Sequence, residues 1–147
     1  MGICISKDER KLRNTRVMRT PKPPCCGKVV NFLVTRVIDG DTFMGHYMTE
    51  EGSPIYTYIR TAGIDAPEMS TDAGKMLKGL LEVFILDKVI PIRILKWGTY
   101  TGRTIADVEY ARKFLDMGVV KPYNGKNVKP IWTYQDLKNV KDILNTL

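Results

Sequence analysis

From residue 29 onward the apolar positions of this chain follow two different periods. Val29 to Ile38 and Thr42 to Met48 are rich in β-branched and aromatic residues, and Thr49-Glu-Glu-Gly-Ser53 turns the chain into a third such stretch, Ile55 to Ile64. They predict a three-stranded antiparallel meander, with Asp39-Gly40-Asp41 interrupting its first pair and Arg60 inside its third strand. The period then lengthens. Ala73, Met76, Leu77, Leu80, Leu81 and Phe84 recur at three and four behind Ser70 or Thr71 as a cap, which predicts an amphipathic helix packed on the sheet. Lys75, Lys78 and Lys88 avoid that stripe and read as a solvated face. Val89 to Leu95 is a fourth strand, with Pro91 suited to an edge or a bulge, and Trp97 to Gly102 is the turn into a fifth, Arg103 to Val108. Tyr110 to Met117 forms a short helix with Ala111, Phe114 and Leu115 on one face and Gly118 as its stop. Lys121 to Lys126 reads as a basic loop carrying Tyr123. Thr133 and Asp136 then make a capping box with Asp in place of Glu, and Leu137, Val140, Ile143 and Leu144 mark the buried face of the last helix.

Composition adjusts this picture at the N-terminus. A chain of 147 residues, 44% hydrophobic, suits one domain with a packed core and is too short for two. The net charge of +7 and a pI near 9.4 suggest a nucleic-acid binder. Residues 1–28, however, hold eight Lys/Arg against two Asp/Glu, and the rest hold fifteen against fourteen. The domain is therefore nearly neutral and must bind phosphates through locally placed residues. Met1-Gly2-Ile3-Cys4-Ile5-Ser6-Lys7 satisfies the N-myristoylation pattern, with Gly2 as acceptor and Cys4 as a site for a palmitoyl chain. Seven Lys/Arg run from Lys7 to Lys22, and one acyl chain plus a polybasic segment is the combination that makes attachment stable. The expectation is a flexible basic tail over 1–27 that tethers a monomeric domain, 28–147, to the cytosolic face of an anionic membrane in a eukaryotic cell or the host cell of a eukaryotic virus. Without acylation the chain would be cytoplasmic.

Pro21-Lys-Pro-Pro-Cys-Cys-Gly27 reads as a semi-extended linker, and Cys25 and Cys26 as linker cysteines. Three cysteines without metal-ligand spacing or a secretory signal fit a reducing compartment. No run approaches a membrane span. The lone histidine, His46, reads as a surface residue of the second strand.

The candidate chemistry lies in two stretches. Asp39 and Asp41 are two apart, so in an extended chain they face the same side, and Gly40 permits a bend between them. Asp65 and Glu68 flank Pro67, which fixes the backbone of that corner. Clustered carboxylates suit a hard cation, calcium or magnesium, whereas zinc calls for histidines or thiolates.

Val34-Thr-Arg-Val-Ile-Asp-Gly-Asp-Thr-Phe43, Ile59-Arg-Thr-Ala-Gly-Ile-Asp-Ala-Pro-Glu68 and Tyr100-Thr-Gly-Arg103, in that order, resemble the thermonuclease (staphylococcal nuclease-like) family over roughly residues 28 to 147. The resemblance implies a five-stranded OB-fold barrel with about three helices, in agreement with the pattern count. It implies hydrolysis of DNA or RNA to products ending in 3′-phosphates. Calcium would be held by Asp41, Asp65 and the backbone carbonyl of Ala66; Glu68 would orient or deprotonate the attacking water; and Arg60 and Arg103 would grip the phosphate as bidentate donors. Tyr123 would touch the nucleotide. Ala66 stands where the family's best-known member has threonine, which removes a hydroxyl and spares the carbonyl, and the segment after Glu68 is short. Two other readings use the same sequence: a non-catalytic OB-type module that binds nucleic acid or protein at a membrane, and a membrane-associated adaptor. The joint presence of Asp41, Arg60, Asp65, Glu68 and Arg103 favours catalysis.

Overall fold

The alternation in the first three stretches becomes a curled sheet because one side of each strand is mostly apolar, with threonines as its buried polar members. In the computed structural model, which describes residues 21–99 and 102–147, β1 (Val29–Asp39), β2 (Thr42–Met48) and β3 (Pro54–Thr61) form the expected antiparallel meander. Phe32, Val34, Phe43, Tyr47 and Ile59 point inward and are buried. After the two-residue β4 (Ile64–Asp65) and helix α1 (Asp72–Ile85), β5 (Val89–Trp97) returns to pair with β1, and β6 (Arg103–Val108) pairs with β5. A parallel pairing of β3 with β6 closes the barrel, in the order β1-β2-β3-β6-β5. The protein is thus a closed, mixed five-stranded OB-like barrel with three helices among the described residues, the others being α2 (Tyr110–Met117) and α3 (Tyr134–Asn145).

Local chemistry sets the element ends. Thr71 caps α1 by accepting from the Gly74 amide, Gly118 ends α2 in the left-handed region, and Thr133 and Asp136 exchange both bonds of the capping box at α3. Pro91 pairs with Asn31 on one side only; β6 first meets β5 at Ile92, so the missing proline N–H breaks no ladder.

Several expectations change in detail. The buried stripe of α1 runs through Ala73, Leu77, Leu81 and Ile85, with Met76, Leu80 and Phe84 half-buried at its edge. Leu115 lies on the exposed side of α2, and Tyr110 takes its place in the core. Lys121 and Pro122 are not loop; as β7 they pair with Ile64 and Asp65. The Pro21–Gly27 segment packs on the barrel from Pro23 onward. Pro23 is buried, the Pro24 carbonyl accepts from the Tyr47 hydroxyl at 2.8 Å, Cys26 Sγ reaches the Leu95 carbonyl, and the Gly27 amide donates to Ile94 at 2.6 Å. Gly2 and Cys4, with the basic tail to residue 20, lie outside the described residues, as do Tyr100 and Thr101. No helix among the described residues is long and apolar enough to cross a membrane.

Candidate functional site

Two tight features deliver the carboxylates to one place. Asp39-Gly40-Asp41 is the hairpin turn between β1 and β2, with Asp39 paired to Thr42 and the Asp41 amide held by Asp39 Oδ1 at 3.0 Å. β4 then carries Asp65 back past the end of β3. The Ala66 amide donates to Asp41 Oδ2 at 2.8 Å and ties the two features together, while Thr42 Oγ1 donates to Asp41 Oδ1 at 2.9 Å. Asp41 and Asp65 are both buried.

Arg60, also buried, sits between them. Its Nη1 donates to the carbonyls of Thr61 and Ile64, both at 2.8 Å, and its Nη2 lies 3.4 Å from Asp41 Oδ2 and 3.5 Å from Asp65 Oδ1. The first two bonds fix the guanidinium firmly. The contacts to the carboxylates are looser than a close charge-assisted pair, so three acids, Asp39, Asp41 and Asp65, are only partly compensated by one arginine. Burial, then the charge of Asp39, push the Asp41 carboxyl up to about 6, against the opposing pull of Arg60.

Two residues that the sequence reading passed over complete the cluster. Trp132 Nε1 donates to Asp65 Oδ2 at 2.9 Å across 67 positions of chain, and Lys121 Nζ lies over the Trp132 ring, 4.9 Å from its centroid. The Tyr110 hydroxyl, wholly buried, bonds Thr61 Oγ1 at 2.6 Å and donates to the Gly40 carbonyl at 3.2 Å, propping the turn. Desolvation raises the Tyr110 phenol well above its ordinary value, so it remains a neutral donor. No local pattern marks either residue as part of a site.

Beside Arg60 opens a cavity of about 520 Å³ whose wall includes Arg60, Lys96, Arg103, Tyr123 and Lys129, and no carboxylate. Arg103 and Tyr123 are therefore brought to the same space as Arg60. The Tyr123 hydroxyl donates to the Asn127 carbonyl at 2.9 Å, and its amide to Gly63. Glu68 is not in that wall; its side chain is exposed on the corner after Pro67, and its carbonyl receives the Thr71 hydroxyl at 2.6 Å.

As a cation site, Asp41, Asp65 and the Ala66 carbonyl offer oxygen donors only and an excess of negative charge, which suits calcium in ligand type and charge. Among the described residues, no group of three or more His, Cys, Asp or Glu side chains is arranged to hold a metal ion, so such a site would draw on backbone oxygen and water as well.

Fold and geometry together define the class: an OB-like barrel bearing an acid–arginine cluster next to a cationic cavity. A scan of the chain against protein-family models and a search of curated proteins both give no match.

Proposed function

We propose that this barrel is a nuclease of the thermonuclease type, hydrolysing phosphodiester bonds of DNA or RNA with calcium held by Asp41, Asp65 and the Ala66 carbonyl. One observation carries the reading: Arg60 joins a buried, under-compensated carboxylate cluster to a cavity lined by four cations and no acid. Bound calcium would supply the positive charge that offsets the phosphate's own charge and the charge added in the transition state. Arg103 and the Nη2 of Arg60 donate to the phosphate oxygens, where a planar guanidinium is worth more than a point charge. Glu68, open to solvent, takes the proton of the attacking water or holds that water in line.

The test is incubation of single- and double-stranded DNA and RNA with calcium or with chelator. Cleavage is expected in calcium only, falling roughly a hundredfold in Arg103→Lys, for a lost donor of ~3 kcal/mol. Undiminished turnover in chelator, or wild-type rates in Glu68→Gln, would falsify the reading. A second reading, a non-catalytic binding module, draws support from the two backbone carbonyls that already hold Arg60. Oligonucleotide binding with no turnover in any condition would favour it.

The tail adds a location. A myristoyl group on Gly2, the basic residues behind it and a palmitoyl chain on Cys4 would hold the enzyme at the cytosolic face of an anionic membrane. In a eukaryotic cell, wild type should fractionate with membranes while Gly2→Ala becomes soluble. Equal solubility of both, with no acyl mass on the mature N-terminus, sinks the tether.

A further inference from the structure

The outer face of β3 carries more than structure requires. Thr57, Ile59 and Thr61 point into the barrel and are buried, so Tyr56, Tyr58 and Arg60 share the opposite side at intervals of roughly 7 Å. Tyr56 is 66% exposed and Tyr58 39%. Across the ladder His46 faces Tyr56, and the two rings lie 4.7 Å apart at a 38° tilt. His46 lies half-buried on this outer face, and its buried Nδ1 has no hydrogen-bond partner. It backs the exposed tyrosine as a flat, fixed surface.

The row leads directly into the cationic cavity. Tyr58 is in parallel register with Arg103, and its amide donates to Gly102 at 2.9 Å. Thr57 Oγ1 reaches the same carbonyl at 3.1 Å and the Thr104 hydroxyl at 2.8 Å, which fixes the start of β6 beside Tyr58. In the other direction the β2–β3 turn offers phosphate no free cation: Lys28 there is ion-paired with Glu50, and Glu51 adds a negative charge. Two exposed rings, then two arginines in a cavity without acids, form a one-way sequence of contacts.

We propose that Tyr56 and Tyr58 are a stacking platform for two consecutive bases of a single-stranded nucleic acid, whose next phosphate enters the cavity between Arg60 and Arg103. The proposal rests on the reading of that cavity as a phosphate site, not on hydrolysis. Apolar rings alone would suit many partners. Their continuity with four cations selects a polyanion that carries flat apolar groups, and spacing along one strand selects bases that are not already paired. In a duplex the base faces are covered by their neighbours, so only a single strand can use both rings at once.

The experiment is fluorescence anisotropy of the full chain in chelator, where nothing is cleaved, with a labelled oligothymidylate of about eight nucleotides, within the range one OB fold covers. The same strand as a duplex, and an abasic strand of equal length, complete the set. Wild type should bind the single strand most tightly. Tyr56→Ala and Tyr58→Ala should each weaken that binding roughly tenfold while leaving the abasic strand unaffected; Tyr58→Phe should bind as wild type. The basic tail contributes equally to every variant and cancels in the comparison. Unchanged binding in both alanine variants, an equal loss on the abasic strand, or equal affinity for the duplex would overturn the platform. Turnover of the abasic strand in calcium reads hydrolysis separately, so either idea can fail while the other stands.

Discussion

At the scale of single residues, the chemistry turns on how little compensates Asp41. It accepts from the Ala66 amide and the Thr42 hydroxyl, yet burial and Asp39 still raise its carboxyl to about 6. A folded-state pKa above the unfolded value of 3.8 means that the folded chain binds the proton more tightly. The resulting stability is fully present below pH ~4 and is lost as pH rises through about 6, by something on the order of 2 to 3 kcal/mol. Urea unfolding in chelator between pH 4 and 7 should show that decline in wild type and a flatter profile in Asp41→Asn. Identical slopes in the two proteins would remove Asp41 as the cause. The types and spacing of Asp39, Asp41, Arg60, Asp65 and Arg103 were legible in the sequence because short motifs carry them. Trp132 and Tyr110 were not, since their bonds to Asp65, Thr61 and Gly40 span 49 to 70 positions of chain.

At the scale of elements, Gly40 shows how a local reading can be right about the residue and wrong about its reason. The bend at Asp-Gly-Asp suggested backbone freedom, but Gly40 does not adopt a positive φ. Space demands glycine there: a Cβ would lie 2.6 Å from Leu77 Cδ2 and 2.9 Å from Ala66 Cβ. Helix α1 is thus pressed directly onto the turn that presents Asp41. Gly40→Ala should destabilise the fold by about 1 to 3 kcal/mol through overpacking, read as a lower denaturation midpoint at unchanged m-value. A double-mutant cycle separates overpacking from a backbone effect: Gly40→Ala should cost less in a Leu77→Ala background, where the clashing branch is gone, than in wild type. No such coupling is expected from a substitution on the exposed face of α1. The strand and helix periods predicted each barrel element to within a few residues. They missed the short β4–β7 ladder because two residues carry no period, and its register exists only where two segments far apart in the chain meet.

At the scale of the molecule, charge and packing divide the chain at different points. Most of the excess charge precedes Lys28, but among the described residues Pro23 is already buried and Pro24 already bonded to the barrel. Deleting residues 2–20 should leave the unfolding midpoint unchanged. Deleting 2–27 removes the Pro24 acceptor of Tyr47, the Cys26 contact to Leu95 and the Gly27 bond to Ile94, and should cost roughly 1 to 3 kcal/mol. Equal midpoints in the two truncations would return the domain boundary to residue 28. Burial of Tyr47 raises its phenol to about 12, which keeps it a donor to Pro24 throughout the neutral range.

The sequence by itself determined the number and order of barrel strands, the three helices with their caps, and the residue types of the acid–arginine motifs. Those features depend on periods of two and 3.6 and on chemistry within a few positions. Only the tertiary structure decided that β3 and β6 close the barrel in parallel, that Trp132 caps Asp65, and that Arg60, Arg103 and Tyr123 line one cationic cavity. Each of these joins segments far apart in the chain, where pairing is chosen by total burial and hydrogen bonding of the closed barrel rather than by any local preference.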